Sequence, residues 1–242
     1  MPSYACDFCE QTITASDDES LIELVGEHFE AAHGEYGITM TAVRNYFAAL
    51  GRLTGPTERL AEIGAVETVP VSTARIEDLL GFFDHDAFAG MPEWASCYCM
   101  FHHLPHEVWG ERTWQENRAD LADRLESGAT TGVIAYAGGK VVGWCNASLR
   151  EELPARADGS DADGTVLVTC CFQVAPPYRG HGVARRLLDA AIDLARGRGC
   201  TAVEGFPNPK PDTTNPEAFP GPPALYRSAG FDVEGNHAWL GV

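Results

Sequence analysis

Lysine is almost missing from this 242-residue chain: Lys140 and Lys210 are the only two among 17 basic residues. Thirty-five acidic residues leave a net charge of −18. Such a surface repels phosphate backbones and anionic lipid, which excludes general nucleic-acid and membrane binding. It is also the composition by which a protein stays soluble at high ionic strength. A halophilic source is therefore expected, with structure lost on dilution into low salt. Acidic runs such as Asp17-Asp18-Glu19 and residues 158–163 read as solvated loops. No run of eighteen apolar residues is present, and no basic, apolar and small-residue signal opens the chain, so a cytoplasmic protein is expected. Neither G-x-G-x-x-G nor G-x-x-x-x-G-K-[ST] occurs, so the usual dinucleotide and P-loop signatures are lacking.

A disulfide framework is also missing. The eight cysteines lie in a chain too long, and too unlike a secreted one, to need staples. Cys145, Cys170, Cys171 and Cys200 sit in apolar runs and read as reduced core residues. An apolar fraction of 45% is enough for a proper core.

What the chain does have is one stretch around which the rest is arranged. The apolar run 166–172 predicts a buried strand that enters the turn Pro176-Pro177. Arg179-Gly180-His181-Gly182 follows, and then a long helix with apolar positions Ala184, Leu187, Leu188, Ala191, Ile192 and Ala195. Glycines at 180 and 182 allow a sharp turn or a close approach. Free amides at the helix start, the helix dipole and the Arg179 charge together suit a phosphate-bearing ligand. The competing reading is an ordinary tight strand–helix turn.

The spacing Arg179-x-x-Gly182-x-Ala184 resembles the acyl-CoA pyrophosphate loop of the GNAT N-acetyltransferase superfamily. A second match lies downstream, where Leu225-Tyr226-x-x-x-Gly230-Phe231 resembles that superfamily's closing motif. From residue 66 to residue 242 the predicted order is β-α-loop-α-β-β-β-α-β-α-β, with a hairpin over 131–147 turning at Gly138-Gly139 and a strand over 201–206. The resemblance covers residues 66–242. It implies a three-layer α/β/α fold with a mixed, mostly antiparallel sheet. Ser72 or Thr73 is expected to cap the first helix of this unit. Residues 51–65 read as a linker, and 207–223, with seven prolines, as an irregular excursion.

Residues 1–50 read as a separate small, α-rich unit. Cys6-x-x-Cys9 makes a tight turn, and a helix beginning near Asp17 carries His28, with His33 five residues on. Two thiolates and two imidazoles can close a tetrahedral zinc shell, so Cys6, Cys9, His28 and His33 are the candidate metal ligands. The gap from Cys9 to His28 is longer than in a standard DNA-reading finger. The segment resembles a family of small metal-binding domains with an early cysteine turn and a helix ending in His-Gly. The competing reading is a surface cysteine pair with two incidental histidines.

The GNAT resemblance implies transfer of an acetyl group from acetyl-CoA to a primary amine by direct attack in a ternary complex. Arg179, Gly180, His181, Gly182, Val183 and Ala184 would take the pyrophosphate. Phe172, Gln173 and Val174 would pair with pantetheine like an added strand, with the Val174 N–H near the thioester oxygen. Tyr226 matches the tyrosine that protonates the departing thiolate in many members; packing on the CoA arm is its alternative role. Many members carry a glutamate base before the loop, but Thr169, Cys170, Cys171 and Gln173 stand there instead. Glu204 is the best-placed carboxylate, with an ion pair to an arginine as its competing role and a water chain, His102 or His103 as other bases. Residues 88–103 read as an acceptor wall, although Cys97, Cys99, His102 and His103 could also hold a metal. No pattern picks out a base for either cysteine, so a catalytic thiol is not assigned. The partners expected are acetyl-CoA and an amine, with a homodimer as an allowed assembly. The rival function is a non-catalytic acyl-CoA sensor with a zinc-binding appendage.

Overall fold

The computed structural model describes residues 1–53, 63–154, 165–209 and 219–242. Lys210, the acidic run 158–163 and most of the expected linker and proline-rich excursion lie outside the described residues. The chain opens with a short hairpin, β1 (Ser3–Ala5) and β2 (Thr12–Thr14), that the sequence did not signal. Helix α1 (Asp18–Ala32) starts where the acidic run predicted, because the Asp17 side chain accepts from the Ser20 amide. Helix α2 (Met40–Arg52) is capped in the same way by Thr39. Leu21, Val25, Phe29 and Val43 form a small core of this first unit with Cys6 and Ile13.

The larger unit is a seven-stranded sheet of order β3-β4-β5-β6-β7-β9-β8. Its strands are β3 (Val66–Pro70), β4 (Gly132–Ala137), β5 (Lys140–Leu149), β6 (Val166–Val174), β7 (Ala202–Gly205), β8 (Asp232–Glu234) and β9 (His237–Gly241). Every neighbouring pair is antiparallel except β6 and β7. A parallel pair needs a crossover, and α6 (Val183–Gly197) supplies it. The β4–β5 hairpin turns at Gly138 and Gly139, both left-handed, as expected. The terminal β8–β9 hairpin was only half foreseen.

Helices lie on both faces. A β-carbon at Gly143 would touch Val183 and Leu187 of α6, so that face of β5 belongs to α6. The neighbouring Trp144 and Asn146 point the other way, towards Cys99. On that side lie α3 (Ile76–His85), α5 (Trp114–Ser127) and the loop between them, which includes the single turn α4 (His106–Trp109). The architecture is the expected α/β/α layering on a mixed, mostly antiparallel sheet. One local expectation fails. Neither Ser72 nor Thr73 caps α3, because a 3-10 turn over Thr73–Arg75 intervenes and no side chain bonds the first amides of either element. No helix among the described residues is long and apolar enough to cross a membrane.

Candidate functional site

The sheet is forked where β6 meets β7. Parallel pairing runs only from Val166 opposite Ala202 to Thr169 opposite Gly205, so the C-terminal half of β6 outlasts its neighbour. Strand alternation puts the N–H groups of Phe172 and Val174 on that open edge. The Phe172 N–H donates to the Phe219 carbonyl at 2.7 Å. Phe219 thus occupies one of the positions offered to pantetheine by the sequence reading.

Beyond Val174 a 3-10 turn over Pro176–Tyr178 leads into the glycine loop. Gly180 and Gly182 both have φ of +76°, and nothing lies within 4 Å of where their β-carbons would be. Backbone conformation, with space left alongside, is what demands glycine here. No side chain caps α6, so its first amides face outward. Arg179 ties the loop back through Nε to the Val174 carbonyl at 3.0 Å. Its partial burial lowers the guanidinium from its ordinary value.

A cavity of about 730 Å³ joins this loop to the fork and to the α3–α5 loop. Phe172, Gln173, Val174, Arg179, Gly180, Gly182, Val183 and Ala184 all line it; His181 does not. Opposite them stands an apolar and sulfur-rich wall with Met91, Trp94, Cys97, Cys99, Phe101 and His102. Among the described residues no carboxylate lines the cavity.

Both sequence-chosen catalytic groups lie outside that lining. Glu204 bonds Arg150 at 2.5 Å and His237 at 2.6 Å and is buried, the arginine-paired arrangement that competed with a base role. The Tyr226 ring is fully buried, and its hydroxyl lies 2.8 Å from the Pro220 carbonyl and 3.2 Å from Thr169 Oγ1.

The wall contains a network that sequence reasoning missed. Tyr98 and Cys99 both have left-handed backbones, with φ of 44° and 62°. The Tyr98 hydroxyl donates to Asp84 at 2.6 Å and is met by Arg52, which holds the turn. Cys99 Sγ accepts from Trp144 Nε1 and Asn146 Nδ2, each at 3.4 Å. Asn146 also donates to His103 Nε2 at 2.8 Å, so the other ring nitrogen of His103 carries the proton and donates to the Glu152 carbonyl at 3.1 Å. Burial raises the Cys99 thiol, but hydrogen bonds from Cys171, Trp144 and Asn146 outweigh it and bring it below its ordinary value. The bond to Cys99, then burial, pushes Cys171 well up. Burial takes Cys97 up to about 12 and His103 down to about 4.

In the first unit, ligand atoms of Cys6, Cys9, His28 and His33 all lie within 4.8 Å of one another. Cys6 Sγ is 3.4 Å from His33 Nε2, and Cys9 Sγ is 3.6 Å from His28 Nε2. Tetrahedral zinc with ordinary bond lengths sets sulfur and nitrogen ligands about 3.6 Å apart, so the donor set fits the ion. Among the described residues this is the one such cluster; Cys97, Cys99, His102 and His103 do not form another.

The family pattern that matches residues 93–216, just over half of the chain, is described as the acetyltransferase (GNAT) family. An aminoglycoside N(6')-acetyltransferase type 1 of Salmonella typhimurium is 26% identical over 114 residues, 45% of this chain and 76% of that protein. The solved aminoglycoside acetyltransferase AAC(6')-Ib, in complex with coenzyme A and kanamycin, is 16% identical with a TM-score of 0.48, covering 73% of this chain and 95% of its own. The yncA protein of Salmonella typhimurium, a putative acetyltransferase solved with acetyl-CoA, is 16% identical with a TM-score of 0.45, covering 74% and 94%.

Proposed function

The chain belongs to the GNAT acetyltransferase family, and from that premise we propose that it acetylates a primary amine carried on an apolar or aromatic body. One observation carries the donor half: the open edge of β6 runs directly into an uncapped helix start through two left-handed glycines, all within one cavity. The pyrophosphate would lie on the amides around Gly182 to Ala184, with Arg179 beside it. The Val174 N–H would bond the pantetheine arm. The acceptor half rests on the wall. Met91, Trp94, Phe101 and Phe219 offer dispersion and ring faces, and no carboxylate among the described lining residues greets a polycation. An aminoglycoside, the acceptor class named for the Salmonella typhimurium relative, is the comparison to beat. The test is CoA release across a panel that pairs arylalkylamines with aminoglycosides. Faster turnover of the arylalkylamines supports the acceptor reading, and faster turnover of the aminoglycosides overturns it. Binding of acetyl-CoA with no release for any amine would favour the sensor alternative, to which the missing carboxylate gives some support.

The first unit would hold zinc through Cys6, Cys9, His28 and His33. Four protein ligands leave no open position, so the ion would fasten the cysteine turn to α1 and take no part in chemistry.

A further inference from the structure

We propose that Phe219 sets the size of amine this chain accepts, as the ring that closes one end of the cavity. The inference deepens the acetyltransferase reading of that cavity and rests on it.

Phe219 belongs to a loop, yet its backbone is fastened on three sides. The Phe219 carbonyl accepts from the Phe172 N–H of β6 at 2.7 Å, and the Gly221 carbonyl from the Asn208 N–H, just past β7, at 2.9 Å. Between them, the Pro220 carbonyl accepts at 2.8 Å from the hydroxyl of Tyr226, on the short helix α7 (Pro223–Ser228). Pro220 and Gly221 are buried, where such bonds are costly to leave unmade. Gly221 is left-handed, with φ of +81°, and a β-carbon there would fall 2.8 Å from Leu225 Cδ2, so the turn has no slack on that side. Each carbonyl of the run from 219 to 221 therefore answers to a different element, and together they fix where the Phe219 ring emerges.

That ring reaches across to the opposite wall. It is half-buried and lines the cavity. Its centroid lies 6.2 Å from that of Phe101, with the planes at 71°, and 5.7 Å from that of His102. The Phe219 and Phe101 rings thus meet edge to face. A flat ligand body held between two rings needs them about 7 Å apart and parallel, twice an ordinary carbon–carbon contact. No acceptor body fits between this pair, so the pair is a boundary of the cavity. Phe101 is braced in its turn: His106 stacks on it at 4.4 Å and Trp109 meets it at right angles at 5.2 Å. An acceptor's apolar body is left the part of the lining that holds Met91 and Trp94. A body one ring long fits within that boundary, and a body two rings long runs into Phe219.

The test measures CoA release by the full chain with 2-phenylethylamine and with 2-(4-biphenylyl)ethylamine, one ring against two in line. The wild type should favour the single ring. Phe219→Ala should shift the ratio of kcat/KM towards the biphenyl amine by about tenfold or more, chiefly through KM, the scale on which small changes in an apolar pocket discriminate. Phe219→Leu keeps much of the apolar volume and should fall between; it also keeps the test decisive if the alanine variant fails to fold. The acetyl-CoA Kd should stay close to wild type in both, since the loop from Arg179 to Ala184 is untouched. A ratio that does not move, whether both amines lose equally or neither does, would overturn the proposal and leave the transferase reading intact. A wild-type chain that binds acetyl-CoA and acetylates neither amine would remove the arylalkylamine reading and the proposal with it.

Discussion

The ring of Tyr226 lies so close over Gly205 that a β-carbon at Gly205 would fall 2.2 Å from Tyr226 Cε1. The last residue of β7 is a glycine because the tyrosine fills the fork there. Gly205→Ala should cost about 1–3 kcal/mol of stability through overpacking, read by denaturant melts. Tyr226→Phe should cost about 1 kcal/mol through the lost bond to the Pro220 carbonyl. It should leave turnover nearly unchanged. A loss of roughly a hundredfold, the size expected of a general acid, would return the phenol to the chemistry.

Glu204 should behave as a strut. Its carboxylate is buried between Arg150 and His237. Glu204→Gln would remove the charge from that pair, at a cost of about 3–5 kcal/mol. The variant that remains folded should release CoA at the wild-type rate. A stable protein with turnover abolished would restore Glu204 as the base.

His103 makes stability depend on pH. Its pKa is pushed down from 6.5 to about 4, so the folded state keeps it neutral where the unfolded chain already binds a proton. Stability should therefore fall as pH drops through the interval from 6.5 to about 4, by ~3 kcal/mol in all, and lose nothing more to this group below that. His103→Gln should flatten that slope. An unchanged slope would mean that other groups set it.

Metal removal should act on the first unit. Purified protein should carry about one zinc per chain, the number that four ligands imply. A strong chelator should release it and lower the helical signal. Cys9→Ser should weaken retention. Metal-free protein with an unaltered melt would rule the zinc reading out.

The glycine-loop side of the cavity was readable because backbone demands there fall on glycine, and glycine at 180 and 182 beside a strongly periodic helix leaves a visible trace. The opposite wall was not. Tyr98 and Cys99 adopt left-handed backbones that neither residue prefers, imposed by Asp84 and Arg52 from other elements, so no local pattern announces them. Glu204 looked like a base because its neutralising partner, Arg150, lies 54 residues away. The three-residue strands β1, β2 and β8 are too short for alternation to register. By contrast, the four candidate metal ligands, two cysteines and two histidines, were visible from spacing, since α1 carries His28 and ends just before His33, both on the side of the cysteine turn.

Arg52, at the end of α2, stacks 4.3 Å over the Trp114 ring, bonds the Ala95 carbonyl and meets the Tyr98 hydroxyl, while Ala49 is buried in the core of the larger unit. The head of the chain is thus a keystone of the very turn that presents Cys99. A gene shortened to residues 66–242 would encode a complete sheet with a slack cavity wall. Grafting a different head onto this enzyme would alter that cavity without touching a single residue that lines it.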